Sequence, residues 1–241
     1  MIIIPARLAS TRFSQKILRL IDGEPMFVRT AKNAAKADDV IVACDDENVL
    51  EIARKYGLRA VMTSPNHASG TDRLNEAASA LNLAAHDVVI NVQADEPFFE
   101  RENLLRFREF AREKITAGAF MASCYKLVSA SAASDPNLVK VVLDKDSNAL
   151  YFSRSLIPYP RGGEKREYYG HIGIYAYSVS NLKEFCAFND RTLENTEKLE
   201  QLRALSAGKK IAMLKIATDS VGIDTYEDYI AAAEKFNFKT E

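Results

Sequence analysis

Ile2-Ile3-Ile4-Pro5-Ala6-Arg7-Leu8-Ala9-Ser10-Thr11-Arg12-Phe13-Ser14-Gln15-Lys16 is the stretch that decides the fold class. A β-branched apolar run passes straight into a hydroxyl-bearing loop that carries three cations, Arg7, Arg12 and Lys16. The apolar run is far shorter than the ~7–15 residues of a signal-peptide core or the ~18 of a membrane span, so it predicts a buried strand. Similar continuous runs recur at residues 40–44, 60–63 and 88–92. Continuous rather than alternating apolar character suits strands covered on both faces, as in a parallel sheet.

Between these runs lie helical patterns. Pro25 suits the first turn of a helix toward Ala37. Asp46 suits the N-cap of a helix ending at Tyr56 and Gly57, and Thr71 the N-cap of one reaching about Asn82. The β-α-β-α order predicts an α/β fold with a doubly wound, mostly parallel sheet and right-handed crossovers. The rhythm changes near Phe120. Residues 120–127, 139–143 and 150–153 predict strands, the last two joined by the turn-rich Asp144-Lys145-Asp146-Ser147-Asn148. A strand is expected at 171–177, a helix at 196–206 closed by Gly208, a strand at 211–216 and a last helix at 225–236. The middle therefore predicts an inserted mixed α+β subdomain at roughly 119–207, with the core at 1–118 and 208–241.

Bulk properties narrow the function classes. Of 241 residues, 47% are hydrophobic and 27% charged, which is ordinary for a globular chain. Net charge is −1, which gives no bulk field for nucleic acid or an anionic membrane. Cys44, Cys124 and Cys186 are odd in number and far apart, which predicts reduced thiols rather than a disulfide or zinc framework.

Five motifs bear chemistry. The loop after the first run falls at a strand's carboxyl end, where open α/β sheets bind ligands. It lacks the glycines of a Walker loop, and its cations suit a polyphosphate as well as they suit solvent. Asn91-Val92-Gln93-Ala94-Asp95-Glu96-Pro97 ends a strand in two carboxylates. One suits Mg²⁺, which takes one or two carboxylates beside phosphate and water; either suits a helix N-cap. Gly222-Ile223-Asp224-Thr225 supplies a second metal carboxylate or a helix cap, with Thr225 and Asp228 at capping-box spacing. His67-Ala68-Ser69-Gly70-Thr71-Asp72-Arg73 offers small polar groups at a helix N-terminus, either for a nucleoside or as a plain cap. Arg154 and Arg161 suit a carboxylate clamp, and His171 and Tyr175 share a strand face.

In this order, the elements resemble one family across nearly the whole chain. The first loop looks like the pyrophosphorylase loop of cytidylyltransferases. Leu150-Tyr151-Phe152-Ser153-Arg154, Gly170-His171-Ile172-Gly173-Ile174-Tyr175, Leu199-Glu200-Gln201-Leu202-Arg203 and Gly222-Ile223-Asp224-Thr225 look like CMP-Kdo synthetases, the 3-deoxy-manno-octulosonate cytidylyltransferases. The resemblance implies a Rossmann-like nucleotide-diphospho-sugar transferase that activates Kdo with CTP for lipopolysaccharide biosynthesis. It implies nucleotide contacts from Ala6, Arg7, Arg12, Lys16, Ala43, Asp45, Ser69, Gly70 and Arg73. Mg²⁺ would sit on Asp95 and Asp224, and catalysis would rest on those acids with Arg7 and Lys16. Sugar contacts would come from Gln93, Arg154, Arg161, His171, Tyr175, Glu200 and Gln201. A cytoplasmic homodimer built through the inserted subdomain is implied, with no nucleic-acid partner and no membrane insertion. A CMP-sialic acid synthetase and a non-catalytic nucleotide-sugar sensor are the competing readings. Two residues depart from the family pattern: Ala94 where glycine is usual, and Ser14 where proline is common. These predict a shifted backbone near Asp95 and a more flexible empty loop.

Overall fold

The computed structural model describes residues 1–10, 12–67, 69–163 and 167–240. Two compact units emerge: residues 1–106 with 218–241, and residues 107–217.

In the first unit, β1 (Ile2–Ala6) is buried along its whole length. A 3-10 turn, Lys16–Leu18, and a two-strand ribbon of β2 (Leu20–Ile21) and β3 (Glu24–Pro25) follow. Then come α1 (Met26–Ala34), β4 (Val40–Cys44), α2 (Glu47–Lys55), β5 (Ala60–Met62), α3 (Gly70–Ala80) and β6 (Val88–Asn91). The strands run parallel in the order β6-β1-β4-β5, with Ile2 opposite Val40 and Ile90. This is the expected β-α-β-α order with a parallel sheet. Pro25 sits at the N-cap position of α1, one residue before the first turn expected for it, and Asp46 caps α2 by accepting from the amides of Asn48 and Val49. The α3 cap is Ser69 rather than Thr71: its Oγ accepts from the Asp72 amide, which starts the helix two residues earlier. Helix α4 (Arg101–Thr116) was not placed from sequence, although Leu104, Phe107 and Ala111 recur at helical spacing and are buried.

The second unit contains β7 (Met121–Val128), α5 (Ala130–Ala133), β8 (Lys140–Leu143), β9 (Ala149–Ser153), β10 (Tyr168–Ser178), α6 (Val179–Ala187), α7 (Thr192–Glu197), α8 (Leu202–Ser206) and β11 (Ile211–Lys215). β8 and β9 form the expected antiparallel hairpin. β10 runs antiparallel to both β7 and β8, while β11 runs parallel to β7. The single helix expected at 196–206 is two short helices. Lys198 adopts φ 55°, ψ 48° and breaks the run. The unit boundaries fall within α4 and after β11, whereas the sequence reading set them near 118 and 207. β11 lies with the second unit because it ladders onto β7 from Ile211 to Lys215.

The last helix, α9 (Tyr226–Phe236), returns to the first unit and carries the expected Thr225–Asp228 capping box. It packs into a cluster with Phe13, Ile21, Met26, Ile223, Tyr229, Ala232 and Phe238. Phe13 meets the rings of Tyr226 and Tyr229, each at 5.8 Å. This apolar cluster joins the cationic loop to the segment that bears Asp224, residues more than 200 positions apart.

Candidate active site

The first unit brings together four of the residues singled out from sequence, with Arg12 beside the trio of Lys16, Asp95 and Asp224. Lys16 Nζ donates to Asp95 and to Asp224 Oδ1, the latter at 2.8 Å. The Arg12 guanidinium also reaches Asp224 Oδ1, at 3.0 Å. Two carboxylates thus converge on one ammonium. Backbone and clasp contacts explain the convergence. The Ile223 amide donates to the Asp95 carbonyl at 3.0 Å. Glu100 accepts from Thr218 Oγ1 at 2.6 Å and from the Asp219 amide at 3.0 Å, and Ser220 Oγ donates to Glu96 at 3.0 Å. Gly222 fits closely here: an added Cβ would lie 3.0 Å from Glu96 Oε1.

Electrostatics within this trio are mutual. Burial alone would lower the Lys16 pKa, but the two carboxylates outweigh it and raise the value. Burial alone would raise the Asp224 pKa, but hydrogen bonds and charge from Lys16 and Arg12 hold it below the usual carboxylate range. Asp95 and Asp224 cap no helix; α4 begins at Arg101, and Thr225 caps α9. Ala94 lacks a positive φ, so its methyl asks for no strained backbone.

A second network lies around the α3 N-terminus. Arg73 is 2% exposed and donates to Asp45 Oδ2 at 2.9 Å and Thr63 Oγ1 at 2.6 Å. The other Asp45 oxygen accepts from the Leu8 amide at 3.0 Å. Asp45 therefore ties the buried guanidinium to the cationic loop. Ala6 and Ala43 are buried at adjacent strand ends. Ser69 also donates to Asp72, at 2.9 Å, and Gly70 would carry a Cβ 3.5 Å from Pro5. Gln93 donates to Asn91 Oδ1 at 3.3 Å. Arg7 is exposed and makes no side-chain hydrogen bond or ion pair among the described residues.

The second unit gathers a different, neutral set. Ser123 Oγ lies 2.9 Å from His171 Nε2, and the His171 and Tyr175 rings are 5.5 Å apart. Their shared face survives a bulge in β10 between Ile172 and Tyr175. Burial pushes the His171 pKa down to about 3, so the ring is neutral at ordinary pH, and burial also pushes the Tyr175 pKa up. Tyr175 donates to Gln201 Oε1 at 3.1 Å. Gln201 is 2% exposed, and its Nε2 has no hydrogen-bond partner among the described residues. A buried, unused donor of this kind suits a polar ligand. Glu200 precedes it at the α7–α8 corner.

The arginines expected to clamp a carboxylate differ. Arg154 spends its guanidinium on main-chain carbonyls: Glu197 at 2.7 Å, Pro136 at 3.1 Å and Lys198 at 3.4 Å. Arg161 is exposed, and its guanidinium has no such partner among the described residues. Of the charged loop expected at 161–167, residues 164–166 lie outside the described residues, as do Thr11 and Ala68 of the other motifs.

A family model for cytidylyltransferases matches residues 1–211. The chain belongs to the cytidylyltransferase family. Among its relatives, the 3-deoxy-manno-octulosonate cytidylyltransferase of Wolinella succinogenes is 53% identical, with 98% of this chain and 99% of that one covered. The enzyme of the same name from Nitratiruptor sp. is 51% identical, covering 95% and 96%. A solved structure of CMP:2-keto-3-deoxy-manno-octonic acid synthetase complexed with CTP superposes with a TM-score of 0.91 at 36% identity, covering 98% of this chain and 97% of that one. Such coverage takes in both the cationic loop and the His171–Tyr175 strand.

Several residues in these networks escaped the sequence reading. Thr63 and Leu8 enter only through long-range contacts with Arg73 and Asp45. Glu100 and Thr218 are polar residues without a motif around them. Lys140 sits in a strand pattern yet is fully buried. A lysine inside an apolar strand run was the one visible signal.

Proposed function

We propose that this chain transfers the cytidylyl group of CTP to 3-deoxy-manno-octulosonate (Kdo), giving CMP-Kdo and pyrophosphate. The anomeric hydroxyl oxygen of the sugar bonds to the α-phosphorus, the bond from that phosphorus to the bridging oxygen breaks, and the hydroxyl proton is lost. The observation that carries the site assignment is the convergence of Asp95 and Asp224 on one ammonium. Two carboxylates that share a cation fit Mg²⁺, which takes one or two carboxylates beside phosphate oxygens and water. Bound there, Mg²⁺ supplies positive charge against the phosphate oxygens. Lys16, released from the acids, and Arg7, without a side-chain partner among the described residues, take up charge on departing pyrophosphate, with Arg12 beside them. Asp45, Arg73, Ser69 and Gly70 hold the nucleoside, with Ala6 and Ala43 behind them.

On the sugar side, Arg161, whose guanidinium has no partner among the described residues, meets the Kdo carboxylate. His171, Tyr175, Glu200 and Gln201 receive its hydroxyls, with Gln201 Nε2 the donor awaiting one. We also propose a homodimer in the cytosol. Leu127 and Tyr169 support the dimer, since they are exposed and paired across β7 and β10. Three cysteines without disulfides accord with a reducing compartment. Among the described residues, no helix is long and apolar enough to cross a membrane.

Pyrophosphate release from CTP and Mg²⁺ tests the reading, with Kdo and N-acetylneuraminate as separate acceptors. Release that depends on Kdo is expected. Release with neither acceptor, or equal release with both, would overturn it.

A further inference from the structure

Two cations in the second unit are satisfied by main-chain carbonyls rather than by acids. Lys140 on β8 is fully buried, and its Nζ donates to the carbonyls of Asp135 at 3.0 Å, Leu138 at 2.7 Å and Arg154 at 2.6 Å. An ammonium carries three N–H donors, so this set satisfies it completely. Among the described residues, no carboxylate forms an ion pair with it. Arg154 repeats the pattern on the carbonyls of Pro136, Glu197 and Lys198. The Glu197 carboxylate closes the ring by accepting from Ser153 Oγ at 2.6 Å and the Arg154 amide at 2.9 Å.

This clasp joins three chain segments: the turn at 135–138, the end of β9, and the left-handed break at Lys198. Each bears on the sugar-side residues. Val139, between the turn and Lys140, accepts from the His171 amide at 2.8 Å. Lys198 leads directly to Glu200 and Gln201, and Gln201 is the partner of Tyr175. The clasp thus grips the backbone under His171 on one side and under Gln201 on the other.

We infer that Lys140 and Arg154 are positioning residues that hold His171 and the Glu200–Gln201 corner in register for the sugar, and that neither touches the sugar itself. This rests on the Kdo reading above. It reassigns Arg154, which sequence alone offered as a carboxylate clamp. Burying an ammonium without its carbonyls, or those carbonyls without it, is costly, so the two stand or fall together. A displacement on the order of 1 Å at a positioned group can cost ~10² in rate, which is the upper bound on the effect.

The test compares Kdo with its carboxamide, in which the acid is neutral, using wild type, Lys140→Met, Arg154→Lys and Arg161→Ala. Lys140→Met should lose about tenfold in kcat/KM for Kdo and leave KM for CTP within about twofold. The carboxamide should show the same fold loss for Lys140→Met and Arg154→Lys, because a misplaced pocket harms both acceptors alike. Arg161→Ala should lose activity with Kdo and lose nothing further with the amide. The inference is overturned if Lys140→Met leaves Kdo kinetics unchanged or raises both KM values equally, or if the Arg154→Lys loss vanishes with the amide. Should Lys140→Met fail to fold, Glu197→Gln removes one acceptor while sparing both cations. It should lose activity with both acceptors while leaving KM for CTP within about twofold, and wild-type Kdo kinetics in that variant would equally defeat the inference. Failure of unmodified protein to use Kdo is a separate result that strikes the functional reading instead.

Discussion

The cationic loop of the first unit and the β10 face of the second solve opposite problems with opposite chemistry. Around Lys16 everything is charged and partly wet: the side chain of Asp224 is 46% exposed and that of Arg12 is 63% exposed. Around His171 the groups are neutral and enclosed, and burial itself keeps them so. A triphosphate demands charge at short range and tolerates water until it binds. A polyhydroxylated acid demands directional hydrogen bonds, which discriminate best where an unmet partner is costly. The lesson is that one fold gathers opposed charges around Lys16 and keeps the His171, Tyr175 and Gln201 side chains neutral, with the Glu200 carboxylate close enough to act on Tyr175.

The comparison breaks most readily at the acids. Asp95→Asn and Asp224→Asn should each lower kcat by about 10²–10³, with thermal unfolding close to wild type. Turnover near wild type in both would remove the charged half of the contrast. On the neutral side, Tyr175→Phe strips the hydrogen bond to buried Gln201. KM for Kdo should rise about tenfold, with KM for CTP unchanged; an equal rise in both would blur the two regions into one.

A pH series sharpens the contrast further. His171 titrates at about 3 in the folded chain against an ordinary 6.5. The unfolded chain therefore binds the proton first, and this contribution to stability is present above about 6.5 and lost as pH falls toward 3. Unfolding free energies measured across that window should decline on acidification, and His171→Asn should flatten the decline. An unchanged slope would contradict the buried, neutral imidazole. The smallest effect belongs to Arg12→Ala, whose exposed ion pair should alter unfolding free energy by less than about 1 kcal/mol in denaturant titration.

The parallel half of the fold was readable because its signals are local. Apolar runs at β1, β4, β5 and β6, the Asp46 cap and the Thr225–Asp228 box each act within a few residues. The helix break at Lys198 was not readable, since it depends on Arg154 gripping carbonyls from another segment. The helix cap shifted from Thr71 to Ser69 because both residues suit the role and only the backbone path decides. Of the site, Asp95, Asp224 and Lys16 were legible as residue types, but their convergence rests on Phe13 packing against α9, a contact that no spacing announces. Arg154 is ambiguous for a related reason: an arginine looks the same in sequence whether its partner is a ligand or a carbonyl.

The shared cation position is the claim on which the rest turns, and Mn²⁺ binding measured by electron paramagnetic resonance in the presence of a non-hydrolysable CTP analogue tests it without relying on turnover. Asp95→Asn and Asp224→Asn should each weaken Mn²⁺ binding by more than the roughly tenfold that loss of even an outer-shell partner costs. Wild-type Mn²⁺ affinity in either variant would show that the two carboxylates do not hold one ion.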